Sequence, residues 1–256
     1  MKKIIISGSL IVAVAALVTG ATVAFFNDTE TSTGNVFTAG SIDLRVDSFG
    51  ATRNGVSVQG SSWFPAVDLT EEKFFNFNDV KPGDYFGRNL SLHVDSNPAW
   101  VCLLARNVAD DGNELTDPEQ EANDPSDGDG EGEIAENLHM LAWLDSNADS
   151  QHNLNEPFLV DSFFDVFAEL AQPIHDSTTG APLDPSVAVE LLQMDLCGGN
   201  HVINGSTGAV TCDGSTMGDQ AQTDSLLADL VIYGEQHRNN PNFRCADVEL
   251  GDPDFD

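Results

Sequence analysis

Short stretches in which apolar and polar residues alternate recur along this chain of 256 residues, and they constrain its fold more than any other feature. A period of two places the apolar side chains of a strand on one face of a sheet. Residues 42–46 and 90–94 alternate in this way, and residues 99–105 predict a more buried strand. The core resumes at residues 138–144, and the mixed stretch at residues 225–234 favours a strand that ends at Gly234. Turn signals such as Pro82–Gly83 separate these stretches. The pattern predicts an all-β fold, an antiparallel β-sandwich of jelly-roll type.

One helix and one insert depart from the strand pattern. Residues 161–170 predict a short helix, because Phe163, Phe164, Phe167 and Leu170 recur on one helical face. Residues 109–136 contain almost no apolar side chains and predict a long acidic loop insert. This insert is either a solvated loop or a lid that collects cations.

The charge of the chain excludes several classes of partner. Ten Lys and Arg stand against 42 Asp and Glu, which gives a formal charge of −32. Nucleic acids and anionic lipids need clustered basic residues, so neither is expected as a partner. The excess of acidic residues favours cations as partners instead. The 41% of hydrophobic residues is enough for a packed core.

The first 24 residues have the pattern of a secretory signal peptide. Lys2 and Lys3 precede an uncharged stretch at residues 4–24, which ends in small residues. We expect cleavage between Ala24 and Phe25 and a secreted mature chain, with membrane contact only through the uncleaved precursor. The alternative is an uncleaved membrane anchor, since the stretch is long enough to span a bilayer.

The four cysteines form an even set, which in an oxidising compartment predicts disulfides. Cys197 and Cys212 bracket a turn-rich segment and are expected to pair locally. That pairing leaves Cys102 for Cys245, a link between the middle of the chain and its C-terminal region. Free thiols are the alternative.

A stretch at residues 145–156 fits the spacing of a twelve-residue calcium loop, because calcium takes six to eight oxygen ligands from such alternating positions. Gln151 would supply a backbone carbonyl, whereas Ser150 replaces the usual glycine and His152 the usual aliphatic residue. The flanks read as strands, so a polar turn is the alternative. The predicted ligands are Asp145, Asn147, Asp149, Gln151, Asn153 and Glu156.

No catalytic residue is predicted. The six histidines lack zinc-site spacing, and the chain has no nucleophile elbow and no phosphate-binding loop. Three Asn-x-Ser/Thr acceptor sites occur, at Asn27, Asn89 and Asn204, and they matter only if the source glycosylates secreted proteins.

Two motifs resemble a known family. Residues 21–44 contain Phe-Asn-Asp after the predicted cleavage site and then Phe-Thr-Ala-Gly-Ser-Ile-Asp-Leu, and residues 80–84 read Val-Lys-Pro-Gly-Asp. Both resemble the TasA/camelysin family of secreted proteins, which a signal peptidase of the SipW type cleaves. The resemblance implies a jelly-roll domain at residues 37–256 that forms extracellular fibres by donating an N-terminal strand, residues 25–36, to the next subunit. Thr29, Thr31 and Thr33 alternate in that segment, as in a strand.

The expected function is therefore a secreted structural subunit of extracellular fibres, in a biofilm matrix or pilus-like assembly, stabilised by calcium. Its partners would be other copies of the chain and the SipW-type peptidase. A monomeric calcium-dependent surface-binding module is the alternative. Some relatives are called metalloendopeptidases, but the chain has no His-Glu-x-x-His motif, so this activity is only a minor alternative.

Overall fold

The computed structural model describes residues 42–249, apart from Ser96, Asn123, residues 125–129 and residues 187–188. The predicted signal peptide, its cleavage site and the donor segment at residues 25–36 lie outside the described residues. Among the described residues, no helix is long and apolar enough to cross a membrane.

Antiparallel strands are the main regular structure of the described residues and form two larger sheets and a hairpin. The first sheet has seven strands, in the order β2-β1-β4-β9-β6-β7 with β3 also paired to β1, and the second has three, in the order β12-β5-β8. The hairpin pairs β10 with β11. The strands are β1 (Leu44–Arg53), β2 (Val56–Ser57), β3 (Trp63–Val67), β4 (Tyr85–Val94), β5 (Ala99–Asp111), β6 (Leu138–Leu144), β7 (Phe158–Phe163), β8 (Gln172–His175), β9 (Glu190–Gly198), β10 (Asn200–Ile203), β11 (Val210–Asp213) and β12 (Ser225–Gln236).

Alternate residues of the two larger sheets meet in one hydrophobic core. Leu90 of β4 and Met194 of β9, in the seven-stranded sheet, share this core with Leu103 of β5 in the three-stranded sheet. Because neighbouring positions along β4 and β9 point to the opposite face, the seven-stranded sheet also has an outer face with many polar side chains. The all-β antiparallel fold is confirmed, and the two sheets pack as in a sandwich. The jelly-roll topology stays a prediction.

The predicted helix at residues 161–170 is wrong in extent. Asp161 and Ser162 pair with Leu141 and Met140 of β6, so they belong to β7. Strand pairing thus continues through the first residues of the helical pattern, and only one turn of helix follows. Three short helices are described where one was predicted, namely α1 (Asp117–Glu121), α2 (Ile134–Asn137) and α3 (Phe164–Phe167).

The acidic segment at residues 109–136 is not a loop throughout. Its first three residues lengthen β5, where Asp111 pairs with Ser225 of β12. The helices α1 and α2 lie further along the segment. At the start of α1, the Glu119 carboxylate accepts a hydrogen bond from the Thr116 backbone N–H and is only 1% exposed. The spacing Thr-x-x-Glu is a helix-start signal that the composition of the segment concealed.

Both predicted disulfides are present. Cys102 of β5 bonds to Cys245, with Cα atoms 5.7 Å apart, and Cys197 of β9 bonds to Cys212 of β11, with Cα atoms 5.5 Å apart. The first fastens the C-terminal region to the three-stranded sheet, and the second fastens the β10–β11 hairpin to the seven-stranded sheet.

Candidate functional site

The predicted calcium loop connects β6 to β7 and is flanked by strands, as the sequence indicated. The β10–β11 hairpin packs closely against it at Gly208, whose φ is +82°. A Cβ at Gly208 would lie 2.8 Å from the Leu154 nitrogen and 2.9 Å from the Asn153 carbonyl carbon. A residue with a side chain would therefore push the hairpin away from the loop.

Asp145 closes the first half of the loop. Its Oδ2 accepts a hydrogen bond from the Ser150 N–H at 2.8 Å, and its Oδ1 accepts one from the Asp149 N–H at 3.2 Å. The residue is 4% exposed. A short carboxylate that accepts bonds from N–H groups four and five residues ahead folds the chain back on itself.

Glu156 closes the second half in the same way. Its Oε1 accepts hydrogen bonds from the N–H and the hydroxyl of Ser146, both at 2.8 Å, and its Oε2 accepts one from the Asn153 N–H at 3.0 Å. Glu156 is 3% exposed. The first and last positions of the calcium pattern are thus the two buried carboxylates that shape the loop.

Asp149 lies between them on the exposed side of the loop. Its carboxylate accepts hydrogen bonds from the Gln151 N–H at 2.8 Å and from the side-chain amides of Asn147 and Asn153 at 3.0 and 3.3 Å. These bonds hold the pKa of Asp149 below its ordinary value. The Asn153 amide also donates to the Gln151 carbonyl at 2.9 Å, so this predicted ligand oxygen faces the same cluster.

The two departures from the calcium pattern have structural explanations. Ser150 adopts the left-handed conformation, with φ of +56°, that glycine usually supplies at the sharp turn. His152 is 7% exposed and stacks on Phe158 with ring centroids 3.9 Å apart, so it fills the interior position that an aliphatic residue would take. Its Nδ1 and Nε2 lie 2.8 and 2.6 Å from the carbonyl oxygens of Gly208 and Glu156.

All six predicted ligands therefore occur in one hydrogen-bonded loop. Its three carboxylates are each held by backbone N–H donors. Among the residues that the structure describes, no group of three or more His, Cys, Asp or Glu side chains is arranged to hold a metal ion.

A histidine pair was not foreseen from the sequence. His139 of β6 and His201 of β10 place their Nδ1 atoms 3.0 Å apart, and they are 7% and 6% exposed. Burial lowers the pKa values of both rings. That of His201 falls to about 3, and the neighbouring His139 ring contributes to this decrease. Both rings are then neutral at pH 7, and one donates to the other. Their separation of 62 positions left no local signal.

The acidic segment brings carboxylates together at α2. Asp224 accepts a hydrogen bond from the Glu133 N–H at 2.8 Å, and Asp110 accepts one from the Ala135 N–H at 2.8 Å. Burial, followed by repulsion from Asp124, raises the pKa of Glu133 to about 7. Burial also raises the pKa values of Asp110 and Asp224. Asp110, Glu133 and Asp224 therefore each lose their proton at a higher pH than an exposed carboxyl group does.

The sequence model of the family described as Camelysin metallo-endopeptidase matches residues 1–98 of the chain. The resemblance to the TasA/camelysin family is confirmed. The camelysin match ends in the turn between β4 and β5, so it covers the predicted donor segment and the first four strands. The calcium-like loop and all four cysteines lie beyond it. No curated protein matches the chain.

Proposed function

We propose that this protein is a secreted structural subunit of extracellular fibres. Residues 25–36 of one subunit would add as a strand to a sheet of the next subunit. The camelysin match over residues 1–98 supports this function, because it includes the donor segment. The two disulfides support an oxidising, extracellular location.

The observation that carries the proposal is where the chain enters the sandwich. A Cβ built on Gly234 of β12 would lie 3.2 Å from Leu44 and 3.9 Å from Ile42, so the start of β1 faces β12 across the core. In the described part of the chain, β12 is an outer strand of the three-stranded sheet. Position 36 is six residue steps from Ile42, and at about 3.5 Å per step they span at most about 21 Å.

The three-stranded sheet is also the narrower of the two sheets. An added strand beside β12 would widen it opposite the seven-stranded sheet and bury further apolar surface. A donor segment joined to the described chain at Ile42 could reach β12 of its own subunit or of a neighbour. Fibre formation requires that the donor segment pairs with the neighbouring subunit.

The test alters the donor segment in the mature chain. Glu30→Pro with Thr31→Pro removes the N–H groups on both edges of the donor strand, whereas Glu30→Gln with Thr31→Val keeps them. We expect the proline variant to stay a folded monomer and the control variant to form fibres in negative-stain micrographs. Fibres of normal appearance from the proline variant would refute strand donation.

Calcium is the second part of the proposal. At −32 the chain repels its own copies, and stacking subunits in a fibre increases this repulsion. The loop at residues 145–156 supports calcium binding because Asp145, Asp149 and Glu156 lie within one hydrogen-bonded network. Rotating the amides of Asn147 and Asn153 would turn their oxygens toward a cation at Asp149.

Asp149→Asn is the sharpest variant for calcium, because Asp149 is exposed and the amide preserves the size of its side chain. Calcium should raise the Tm of the wild type more than NaCl at equal ionic strength, since a site responds selectively while screening acts on all charges. For Asp149→Asn, calcium should raise the Tm only as much as NaCl does at equal ionic strength, because only charge screening remains. Equal curves for calcium and NaCl with the wild type would contradict a calcium site.

We infer that this role needs no catalysis. The family description names a metallo-endopeptidase, so the rival activity is peptide hydrolysis by a bound metal. Casein is the probe, incubated with the mature protein and added zinc. Cleavage that a chelator abolishes would establish the enzymatic alternative, and intact casein under both conditions is the expected result.

A further inference from the structure

A cleft of about 260 Å³ lies on the outer face of the seven-stranded sheet. Its floor consists of side chains from β4 and β9, and its walls come from β1 and from the loop at residues 145–156. None of the roles proposed above uses it. Its lining residues carry a single carboxylate, that of Asp195, and no Lys, Arg or His.

Hydrogen bonds run across the floor from one wall to the far end. Asn89 donates to Ser150 Oγ at 3.5 Å and to Gln193 Oε1 at 3.2 Å, and Gln193 donates to Asp195 Oδ1 at 2.8 Å. The Tyr85 hydroxyl donates to the other oxygen of Asp195. These bonds fix the orientation of each polar group before any ligand arrives.

Two further features of the floor concern its polar groups. The Oδ1 atom of Asn89 lies beneath the surface of the cleft and has no hydrogen-bond partner among the described residues, whereas its Nδ2 belongs to the network above. At Gly87 the floor is tightly packed, since a Cβ there would lie 2.8 Å from Thr52 Oγ1, 3.2 Å from Asp195 Oδ1 and 3.4 Å from Gln193 Nε2. Thr52, Asp195 and Gln193 all line the cleft, so their polar groups lie side by side for the hydroxyls of a ligand.

One wall presents an aromatic ring to solvent. The pairing of β1 with β4 shifts by one residue between Ser48 and Gly50, and Phe49 is the extra residue of this bulge. Phe49 lines the cleft and is 72% exposed. A single exposed aromatic ring at the rim of a polar cleft offers a flat apolar face on which a ligand can stack.

The lining excludes most classes of ligand. Anions would meet the Asp195 carboxylate with no basic side chain in the lining, and a metal ion would find only that one carboxylate. A lipid would leave the amides and the carboxylate unpaired. An extended peptide cannot add as a strand, because side chains rather than backbone edges form the floor.

We propose that this cleft binds a neutral pyranose residue of a polysaccharide. A pyranose ring has an apolar C–H face for Phe49 and neighbouring hydroxyls that both donate and accept. Those hydroxyls match the Gln193 amide, the Asp195 carboxylate and the Thr52 hydroxyl, which all line the cleft. In a fibre, such a cleft on each subunit would attach the protein to the surrounding polysaccharide.

The experiment measures binding of the full mature chain to four probes, by isothermal titration with amylose and mannan fragments and by co-sedimentation with chitin and cellulose. Phe49→Ala should weaken binding roughly tenfold, the upper end for one aromatic contact. Phe64→Ala is the matched control, because Phe64 is 79% exposed on β3 and lies outside the cleft. It should leave the affinity unchanged.

Gly87→Ala tests the floor independently of the rim. The added methyl group would lie 2.8 Å from Thr52 Oγ1, so the Thr52 side chain must shift and disturb the polar groups of the floor. We therefore expect binding to be lost while the circular dichroism spectrum stays that of the wild type. If this variant fails to fold, Asn89→Ala replaces it and should also weaken binding. No binding to any of the four neutral probes, or equal losses in Phe49→Ala and Phe64→Ala, would overturn the proposal.

Discussion

The two disulfides should stabilise the protein unequally, because they close loops of very different length. Cys102 and Cys245 are 143 positions apart, whereas Cys197 and Cys212 are 15 apart. A disulfide acts mainly by restricting the unfolded chain, and the restriction grows with the logarithm of the loop length. The perturbation is the removal of each bond in turn, by alanine at both of its cysteines.

The loop lengths set the expected magnitudes. In the chain-entropy relation the longer loop contributes about 5 kcal/mol at 25 °C and the shorter loop about 3 kcal/mol. The difference, about 2 kcal/mol, is large beside a total stability of about 5–15 kcal/mol for a domain. Packing acts in the same direction, because Cys102 and Cys245 are both fully buried while Cys212 is partly exposed.

Urea unfolding, followed by tryptophan fluorescence and by circular dichroism, measures both losses. The variant without the Cys102–Cys245 bond should show the larger fall in unfolding free energy. The contribution of sulfur packing alone is the difference in unfolding free energy between the reduced wild type and a variant in which all four cysteines are alanine. Equal losses after this correction, or a larger loss for the Cys197–Cys212 bond, would refute the reasoning from loop length.

Three further predictions concern single side chains. Arg88→Met should lower the unfolding free energy by about 3 kcal/mol in urea unfolding, because the buried guanidinium donates to three backbone carbonyls and one hydroxyl that methionine leaves unpaired. Ser150→Gly should raise the Tm, by relieving about 1 kcal/mol of left-handed strain; an unchanged Tm would mean that the turn is unstrained. Glu133 has a folded pKa of about 7, above the 4.5 of an exposed glutamate. Between these two pH values the folded state binds more protons than the unfolded state does, so the unfolding free energy falls as the pH rises through this range. Glu133→Gln should flatten that part of the Tm–pH curve, and a curve parallel to that of the wild type would contradict it.

Alternation along the sequence predicted half-buried strands, because the apolar residues of such a strand occupy every second position and lie on its buried face. Residues 90–94 lie in β4, where apolar side chains at every second position face the common core. Residues 138–144 form β6, which is buried at almost every position, so its apolar run rather than alternation marked it as part of the core. The cysteine pairing was also accessible, because two cysteines that bracket a turn are close in any compact fold. The position of Asp145 and Glu156 at opposite ends of one loop followed from their spacing alone.

Contacts between distant strands were inaccessible to the same reasoning. The approach of His201 to His139 depends on where the β10–β11 hairpin packs, which no local pattern encodes. The bulge at Phe49 reverses which residues of β1 face outward, so strict alternation misassigns the second half of that strand. The extent of α3 was overestimated because pairing with β6 outweighed the helical pattern at Asp161.

The calcium loop and the saccharide cleft share Ser150, and this predicts that their ligands influence each other. The Ser150 N–H donates to Asp145 at 2.8 Å, and the Ser150 hydroxyl accepts from Asn89 in the cleft floor. A cation in the loop would hold this wall in place before the sugar arrives, so saturating calcium should tighten oligosaccharide binding about 5-fold, within the usual range of coupling between two sites. Titration of the best neutral oligosaccharide with calcium, and with chelator plus NaCl at equal ionic strength, measures the factor. Asp149→Asn should abolish the calcium effect and keep the basal affinity. Coupling is reciprocal, so the sugar must raise the calcium affinity of the coupled site by the same factor. A calcium effect that persists in Asp149→Asn would show that calcium acts elsewhere on the protein.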